Sequence, residues 1–468
     1  MKKKGLIIEN VEITDVAAEG VAIAKIDGMV IFIPYAAPGD VVDIRITRKK
    51  NKYAEGVIVN IHKKSDFRTQ PFCEHFGLCG GCKWQHLEYN KQLHYKAKQV
   101  ADNLERIAKI HFPTPQPIIG SDMQKYYRNK LEYTFSDKRW FLPHEPFDHG
   151  DQHIGALGFH IPGRFDKVLD IKNCYLQPIL SNEIRIEVKK YCVENNISFQ
   201  NLKTHQGLMR NLIIRNSNTG EWMVIVVFGV SDNYKHQKQL LEHLKNKFTQ
   251  ITSLWSVLNP KVNDSIADLT PELYHGKPYL TERMHGLKYQ IGPKAFYQTN
   301  SQQAEKLYKV TCDFSHLTGT ELVYDLYSGT GTIANLLAQK SKWVVGVEYV
   351  EEAIEDAHNN SKINGIKNTT FIAGDMNKVL NQSFFEKHGK PDVIVTDPPR
   401  AGMHPDVIQN ILTASPKRIV YVSCNPATQA RDIAIMSPYY EIKNVQPVDM
   451  FPNTHHVENI ILMEKANY

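Results

Sequence analysis

The stretch DLYSGTGTIANLLA, Asp325 to Ala338, sets glycines directly after a strand-like run and at the mouth of a helix-like one. Gly329 and Gly331 allow a sharp turn and a close approach of backbone to ligand. Around it ELVYDLY, WVVGVEYV, TTFIAGD, DVIVTDPP and RIVYVSC read as short buried strands, with helix-compatible stretches between most of them. That alternation predicts a doubly wound, Rossmann-like α/β domain over residues 291–468. Glu348 ends the second of these strands, placed to accept hydrogen bonds from ribose hydroxyls. Gly329, Gly331 and Ala334 also satisfy the G-x-G-x-x-A dinucleotide fingerprint, so a nicotinamide dehydrogenase competes here, as does an ordinary tight turn.

Downstream residues separate these readings. DPPR, Asp397 to Arg400, falls at the carboxyl end of the fourth strand, where ligands of open α/β sheets gather. Enzymes that methylate exocyclic amines often follow such a proline pair with an aromatic residue that stacks on the base. Here Arg400 stands in that place, which favours a carbon target. RIVYVSCNPATQARD then puts Cys424 between an apolar strand and a proline turn. Taken alone it reads as a small core cysteine. Carbon chemistry gives it another use, because uracil C5 is a weak nucleophile until a thiolate adds to C6 and makes the ring an enolate. A base must afterwards remove the C5 proton, and MFPNTHHVENIILMEK offers His455, His456 and Glu458.

The remaining chain reads as two further units. Residues 1–62 carry five short alternating strands punctuated by Gly20, Gly28, Pro38-Gly39 and Gly56, a pattern for a small barrel of the oligonucleotide-binding type. From Arg45 to Arg68 eight basic residues face two acids, an excess of six that equals the net charge of the whole chain. Such a run on a β-pattern points to RNA. Residues 63–290 mix strands and helices, with EYNKQLHYKAKQVADNLERIA near 88–108 as a helix that packs on the catalytic unit.

Composition bounds the rest. At 468 residues, 42% hydrophobic and 23% charged, the chain is globular and too long for one core. The opening MKKKGLIIENVEI loses its apolar run at Glu9, so no signal peptide is expected. The longest uncharged apolar run, Trp222 to Val230, is far too short for a bilayer. Seven cysteines without a secretion signal argue against a disulfide framework and for a reducing cytoplasm. Cys73-x5-Cys79-x2-Cys82, with Cys174 far downstream, is close to a plant-type iron–sulfur ligand set. Structural zinc suits four thiolates equally well. Cys192 and Cys312 fall in helical patterns and read as core.

Together FYQTN, DLYSGTG, VEYV, DPPRAG, VSCNPAT and MFP-x-T-x-HVE stand in the order found in the RNA 5-methyluridine methyltransferase family, which this chain resembles over nearly its whole length. The resemblance implies a class I methyltransferase domain with an N-terminal TRAM barrel and a central α+β domain carrying the cysteines. It implies S-adenosylmethionine as methyl donor, Cys424 as nucleophile and Glu458 as the base at C5. Gln298, Tyr327, Gly329, Glu348, Asp375 and Asp397 are then the donor-binding positions, with Asp397 also close to the target base. It favours a four-iron cluster on Cys73, Cys79, Cys82 and Cys174 over zinc, and with it the branch acting on 23S rRNA over the branch acting on tRNA. Asn453 is a departure, since many relatives carry histidine there. RNA is the expected partner, with no membrane, no obligate protein partner, and a monomeric chain. A basic RNA-binding or assembly factor with a vestigial catalytic fold is the competing class. The intact Cys424, Glu458 and Gly329 loop favour the enzyme.

Overall fold

A computed structural model describes residues 6–142, 145, 155–230 and 235–466. Three large sheets organise the chain. The first has six strands, in the order Ile7–Glu12, Val41–Lys49, Tyr53–Lys63, Met29–Ile33, Ala22–Ile26 and Asp15–Val16. The five strands read from sequence are all present, and the two-residue Asp15–Val16 adds a sixth. Alternating residues such as Ala22, Ala24, Ile31, Ile33, Val42 and Ile44 fill its small core. Arg68 closes the basic run inward: its guanidinium donates to both carboxylate oxygens of buried Asp40 at 2.8 and 2.6 Å. Lys49, Lys50 and Lys52 remain exposed.

The helix Tyr89–Asn103 continues as a wider π-helical turn over Leu104–Ala108. Gln92, Lys96, Val100 and Leu104 recur every fourth residue, so one stripe of this helix is buried. That stripe packs against the helix Pro426–Met436, and Val100, Leu104 and Ala108 enter the core of the third sheet.

The second sheet has eight strands, from Glu272–Gly276 at one edge to Arg139–Trp140 at the other. Every residue of its Trp222–Phe228 strand is buried. Trp222–Phe228 and Ile251–Leu258 run parallel, joined by a crossover that contains the helix Lys235–Lys247. This helix and Leu180–Glu194, which carries buried Cys192, pack on one face.

The third sheet holds seven strands, in the order Thr369–Ala373, Trp343–Glu348, Leu322–Leu326, Val393–Thr396, Arg418–Ser423, Glu458–Lys465 and Tyr440–Val448. The first five run parallel, and Glu458–Lys465 inserts antiparallel beside Arg418–Ser423. Hydrophobic cores lie on both faces, as the near-continuous apolar strands require. The strand order reverses between Leu322–Leu326 and Val393–Thr396, so their carboxyl ends open a crevice. Among the described residues no helix is long and apolar enough to cross a membrane.

Candidate active site

The crevice at the strand reversal is lined by the DLYSGTG turn on one side and the DPPR turn on the other. Gly331 has φ +76, and a Cβ there would lie 2.9 Å from the Ala357 Cβ and 3.0 Å from the Phe371 ring, so the turn admits only glycine. Tyr327 is also left-handed, at φ 65, a conformation that costs a bulky residue energy and is seen where structure holds a site in place. The Glu348 carboxylate holds this turn together, with Oε2 accepting the Gly329 N–H at 3.0 Å and Oε1 accepting those of Tyr349 and Val350 at 2.8 and 3.0 Å. Asp375 caps the next short helix by accepting the Asn377 N–H. Burial, then the charges of Asp432, Asp375 and Glu348, push the Tyr327 phenol up to about 12. Tyr327, Gly329, Glu348 and Asp375 therefore form one wall.

Across the crevice the antiparallel register pairs Ser423 with Asn459. Cys424 and Glu458 are the next residues along each strand, so both sit at the same sheet end. Cys424 is half-buried, between its strand and the helix Pro426–Met436, whose cap is the Asn425 side chain accepting the Ala427 N–H. The carbonyl of Arg400 accepts hydrogen bonds from the Asn425 amide and the Thr428 hydroxyl, tying the DPPR turn to the cysteine turn. Asp432 braces the same loop from below: Tyr421 and Met403 N–H donate to Oδ2, and Arg431 forks onto Oδ1.

Burial first, and neighbouring charge second, shifts the titration of these groups. Burial raises the Glu458 and Asp325 carboxyls well above their ordinary range, and the charge of Asp397 raises both further. Burial alone pushes Asp397 up to about 7. Burial, then Glu458 and Asp397, push the Cys424 thiol up to about 11, with Arg400 opposing. A site with this many crowded carboxyls favours a bound cation, because a positive charge lets them ionise. Tyr308, also buried, feels Asp397, Glu458 and Asp325, and its phenol takes a hydrogen bond with Gln298. Gln298 thereby reaches the same cluster from the FYQTN turn, whose backbone is held by Asn129.

Nothing in the pattern of the sequence singled out Asp325, Tyr308 or Asp432. Asp325 lies within the glycine motif as one residue of a buried strand, and the other two occupy ordinary helical positions. Asn453 is buried at φ 66, a conformation asparagine tolerates. Its carbonyl accepts the N–H groups of Lys83 and Trp84, its N–H donates to Gln92 and its amide donates to Gln124. It braces the loop that leads to Glu458.

Cys73, Cys79, Cys82 and Cys174 lie apart from this crevice and line one cavity of about 250 Å³, together with His75 and Gln85. Burial raises all four thiols, Cys73 to about 11 and Cys79 and Cys82 to about 12, and each of these three is raised further by neighbouring thiols of the set. On the lining of this cavity the buried His75 Nδ1 and Arg128 Nε have no hydrogen-bond partner among the described residues. Four soft sulfurs facing one cavity fit an iron–sulfur cluster or zinc by donor chemistry. Among the described residues no three His, Cys, Asp or Glu side chains converge on a single ion.

A seven-stranded sheet of this order, with a glycine turn and an acidic strand end at the reversal, defines an S-adenosylmethionine-dependent methyltransferase. The tRNA (uracil-5-)-methyltransferase family model matches residues 274–466, and the TRAM domain model matches residues 8–59. A protein of Bacteroides thetaiotaomicron named an uncharacterized RNA methyltransferase is 56% identical, over 96% of this chain and 99% of its own. One of Porphyromonas gingivalis with the same name is 54% identical, over 97% and 99%. The crystal structure of Pyrococcus abyssi tRNA (uracil-54, C5)-methyltransferase with S-adenosyl-L-homocysteine superposes with a TM-score of 0.74 at 27% identity, covering 97% of this chain and 100% of that one. The chain belongs to the RNA uracil-5-methyltransferase family.

Proposed function

We propose that this protein methylates C5 of a uridine in 23S rRNA through a covalent adduct between Cys424 and C6 of the ring. The observation that supports it is the pairing of Ser423 with Asn459, which sets a thiol and a buried carboxyl at one sheet end beside Asp397. The Cys424 thiolate adds to C6, and the electron pair displaced to C5 forms the bond to the incoming methyl group. S-adenosylmethionine, when bound, would supply that electrophilic methyl and a positive charge and leave as S-adenosylhomocysteine as its methyl–sulfur bond breaks, with Gln298, Tyr327, Gly329, Glu348, Asp375 and Asp397 as the positions that would hold it. Glu458 then takes the C5 proton, the C6–S bond breaks and the thiolate returns to Cys424. Arg400 is the cation of this chain that favours ionisation of both Cys424 and Glu458.

We assign Cys73, Cys79, Cys82 and Cys174 to a four-iron cluster. The four thiols line one cavity, and their spacing along the chain, close to a plant-type iron–sulfur set, favours the cluster over zinc. Methyl transfer moves no net electrons, so the cluster's part is to order its loop. The tRNA reading is favoured by the named activity of the Pyrococcus structure, the rRNA reading by the four cysteines. The reducing cytoplasm suits free thiols and cluster alike. The test is incubation of the protein and S-adenosylmethionine with 5-fluorouridine transcripts of 23S rRNA and of tRNA. A denaturant-stable adduct with the rRNA is expected; an adduct with tRNA alone would reassign the substrate, and none with either would overturn the mechanism.

A further inference from the structure

Four segments of the chain meet at a notch of about 310 Å³ that includes Arg400 of the DPPR turn. Lys83 comes from the cysteine loop, Arg400 from the DPPR turn, and Thr454, His455 and His456 from the loop before Glu458. The barrel contributes its turn at Glu19. Contacts hold these parts in fixed relation. The Trp84 indole N–H donates to the Gly20 carbonyl at 2.9 Å, and the Lys83 ammonium donates to the Glu19 carbonyl at 3.1 Å. Gly20 is left-handed, at φ +77, and a Cβ there would strike both His455 and Trp84 at 2.8 Å. Lys83 N–H and Trp84 N–H both donate to the Asn453 carbonyl.

We propose that this notch seats one phosphodiester of the RNA strand next to the target uridine. It rests on the reading of the chain as an RNA uracil methyltransferase and adds to it a specific binding position. Two permanent cations, Lys83 and Arg400, face one acid, the exposed Glu19, so the notch carries a net positive charge. A phosphate is small, anionic and able to accept several hydrogen bonds at once, which the Lys83 ammonium and the Arg400 guanidinium can donate. The rings of His455 and His456 lie 4.1 Å apart and against each other, so they line the wall rather than leaving a slot for a base. Arg400 bears electrostatically on Cys424 and Glu458 as well as on both histidines. An anion on Arg400 therefore sits one step from the reacting groups. The barrel turn, the cysteine loop and the catalytic unit are all needed to build the seat.

The test is equilibrium binding of the full-length protein to a short oligouridylate over a range of salt, which needs no methyl transfer. Lys83→Gln should weaken binding and flatten the dependence of log K on log salt by about 0.7, the value for one phosphate on a single strand. Arg400→Gln should do the same, and the double variant should lose no more slope than either alone, because both address one phosphate. Lys83→Arg should restore the wild-type slope. Affinity for an oligomer with uncharged methylphosphonate linkages should be equal for wild type and Lys83→Gln. A slope unchanged by Lys83→Gln, slopes that add in the double variant, or an equal loss on the methylphosphonate oligomer would each overturn the seat. Salt-dependent binding without any 5-fluorouridine adduct would sink the catalytic reading and leave the seat standing. An adduct formed by a protein whose Lys83→Gln variant binds like wild type would do the reverse.

Discussion

Ser423 and Asn459 are register partners in adjacent antiparallel strands, and the next residue along each is the proposed nucleophile or the proposed base. Cys424 directly follows a parallel strand, while Glu458 begins the strand that runs the other way beside it. A parallel insertion would have carried Glu458 to the opposite end of the strands. The reversal of one strand is what brings the two groups together.

Cys424→Ala should abolish the adduct with 5-fluorouridine RNA while leaving S-adenosylmethionine binding intact. Mass mapping of the trapped peptide checks it. An adduct on the variant would assign the nucleophile elsewhere.

Glu458→Gln should still form the adduct on unmodified RNA but turn over on the order of 10²–10⁴-fold more slowly, the usual worth of a general base. Rapid-quench measurement of adduct and product separates the two steps. An unchanged turnover would shift the base to His455, His456 or water.

The thiol pushed up to about 11 gives a pH test with a defined sign. Below that value each unit of pH raises the thiolate fraction about tenfold, so peptide-resolved alkylation of Cys424 should accelerate steadily with pH. Glu458→Gln removes a neighbouring negative charge and should move the profile to lower pH. Arg400→Gln removes the opposing cation and should move it higher. Shifts in the same direction would mean that these charges do not govern the thiol.

Lys96 and Asp449 form an ion pair with both side chains fully buried, at 2.5 Å, and Tyr89 and the Phe451 N–H also donate to Asp449. Burial lowers the Lys96 ammonium and the Asp449 charge opposes that. Lys96→Met leaves an uncompensated carboxylate inside the protein and should destabilise it by about 3–5 kcal/mol. Denaturant unfolding reads this, and Lys96→Met with Asp449→Leu should recover much of the loss. A single variant as stable as wild type would show that water reaches the pair.

Neutralising Lys49, Lys50 and Lys52 should flatten the salt dependence of RNA binding by up to about 0.7 per lost phosphate contact. Arg68→Gln should instead destabilise the barrel, because that guanidinium is spent on Asp40. A steep slope kept by the triple variant would move RNA off this barrel face.

Protein purified without oxygen should be brown, with about four irons per chain. Cys82→Ser should bleach it and weaken RNA binding more than S-adenosylmethionine binding, since Lys83 follows directly in the chain. Colourless protein with stoichiometric zinc would replace the cluster and leave the methyltransferase intact.

The strand–helix alternation after residue 291 and the five barrel strands were legible in the sequence, because residue period is a local property set by each strand's own faces. The glycine turn was legible too, since only glycine fits where Gly331 meets Ala357 and Phe371. The quoted motifs also singled out Cys424 and Glu458, and cysteine spacing the four thiols, as the candidates proposed above. What only the tertiary structure decided is non-local. Asp325 and Tyr308 join the carboxyl cluster from a core strand and a plain helix, and Asp449 claims a lysine more than three hundred positions away. Asn453 departs from the family motif, and its buried backbone contacts show it to be a brace. The raised thiol of Cys424 belongs to the same class, because a pKa depends on burial and on charges that folding assembles from distant segments, and no window of sequence contains them.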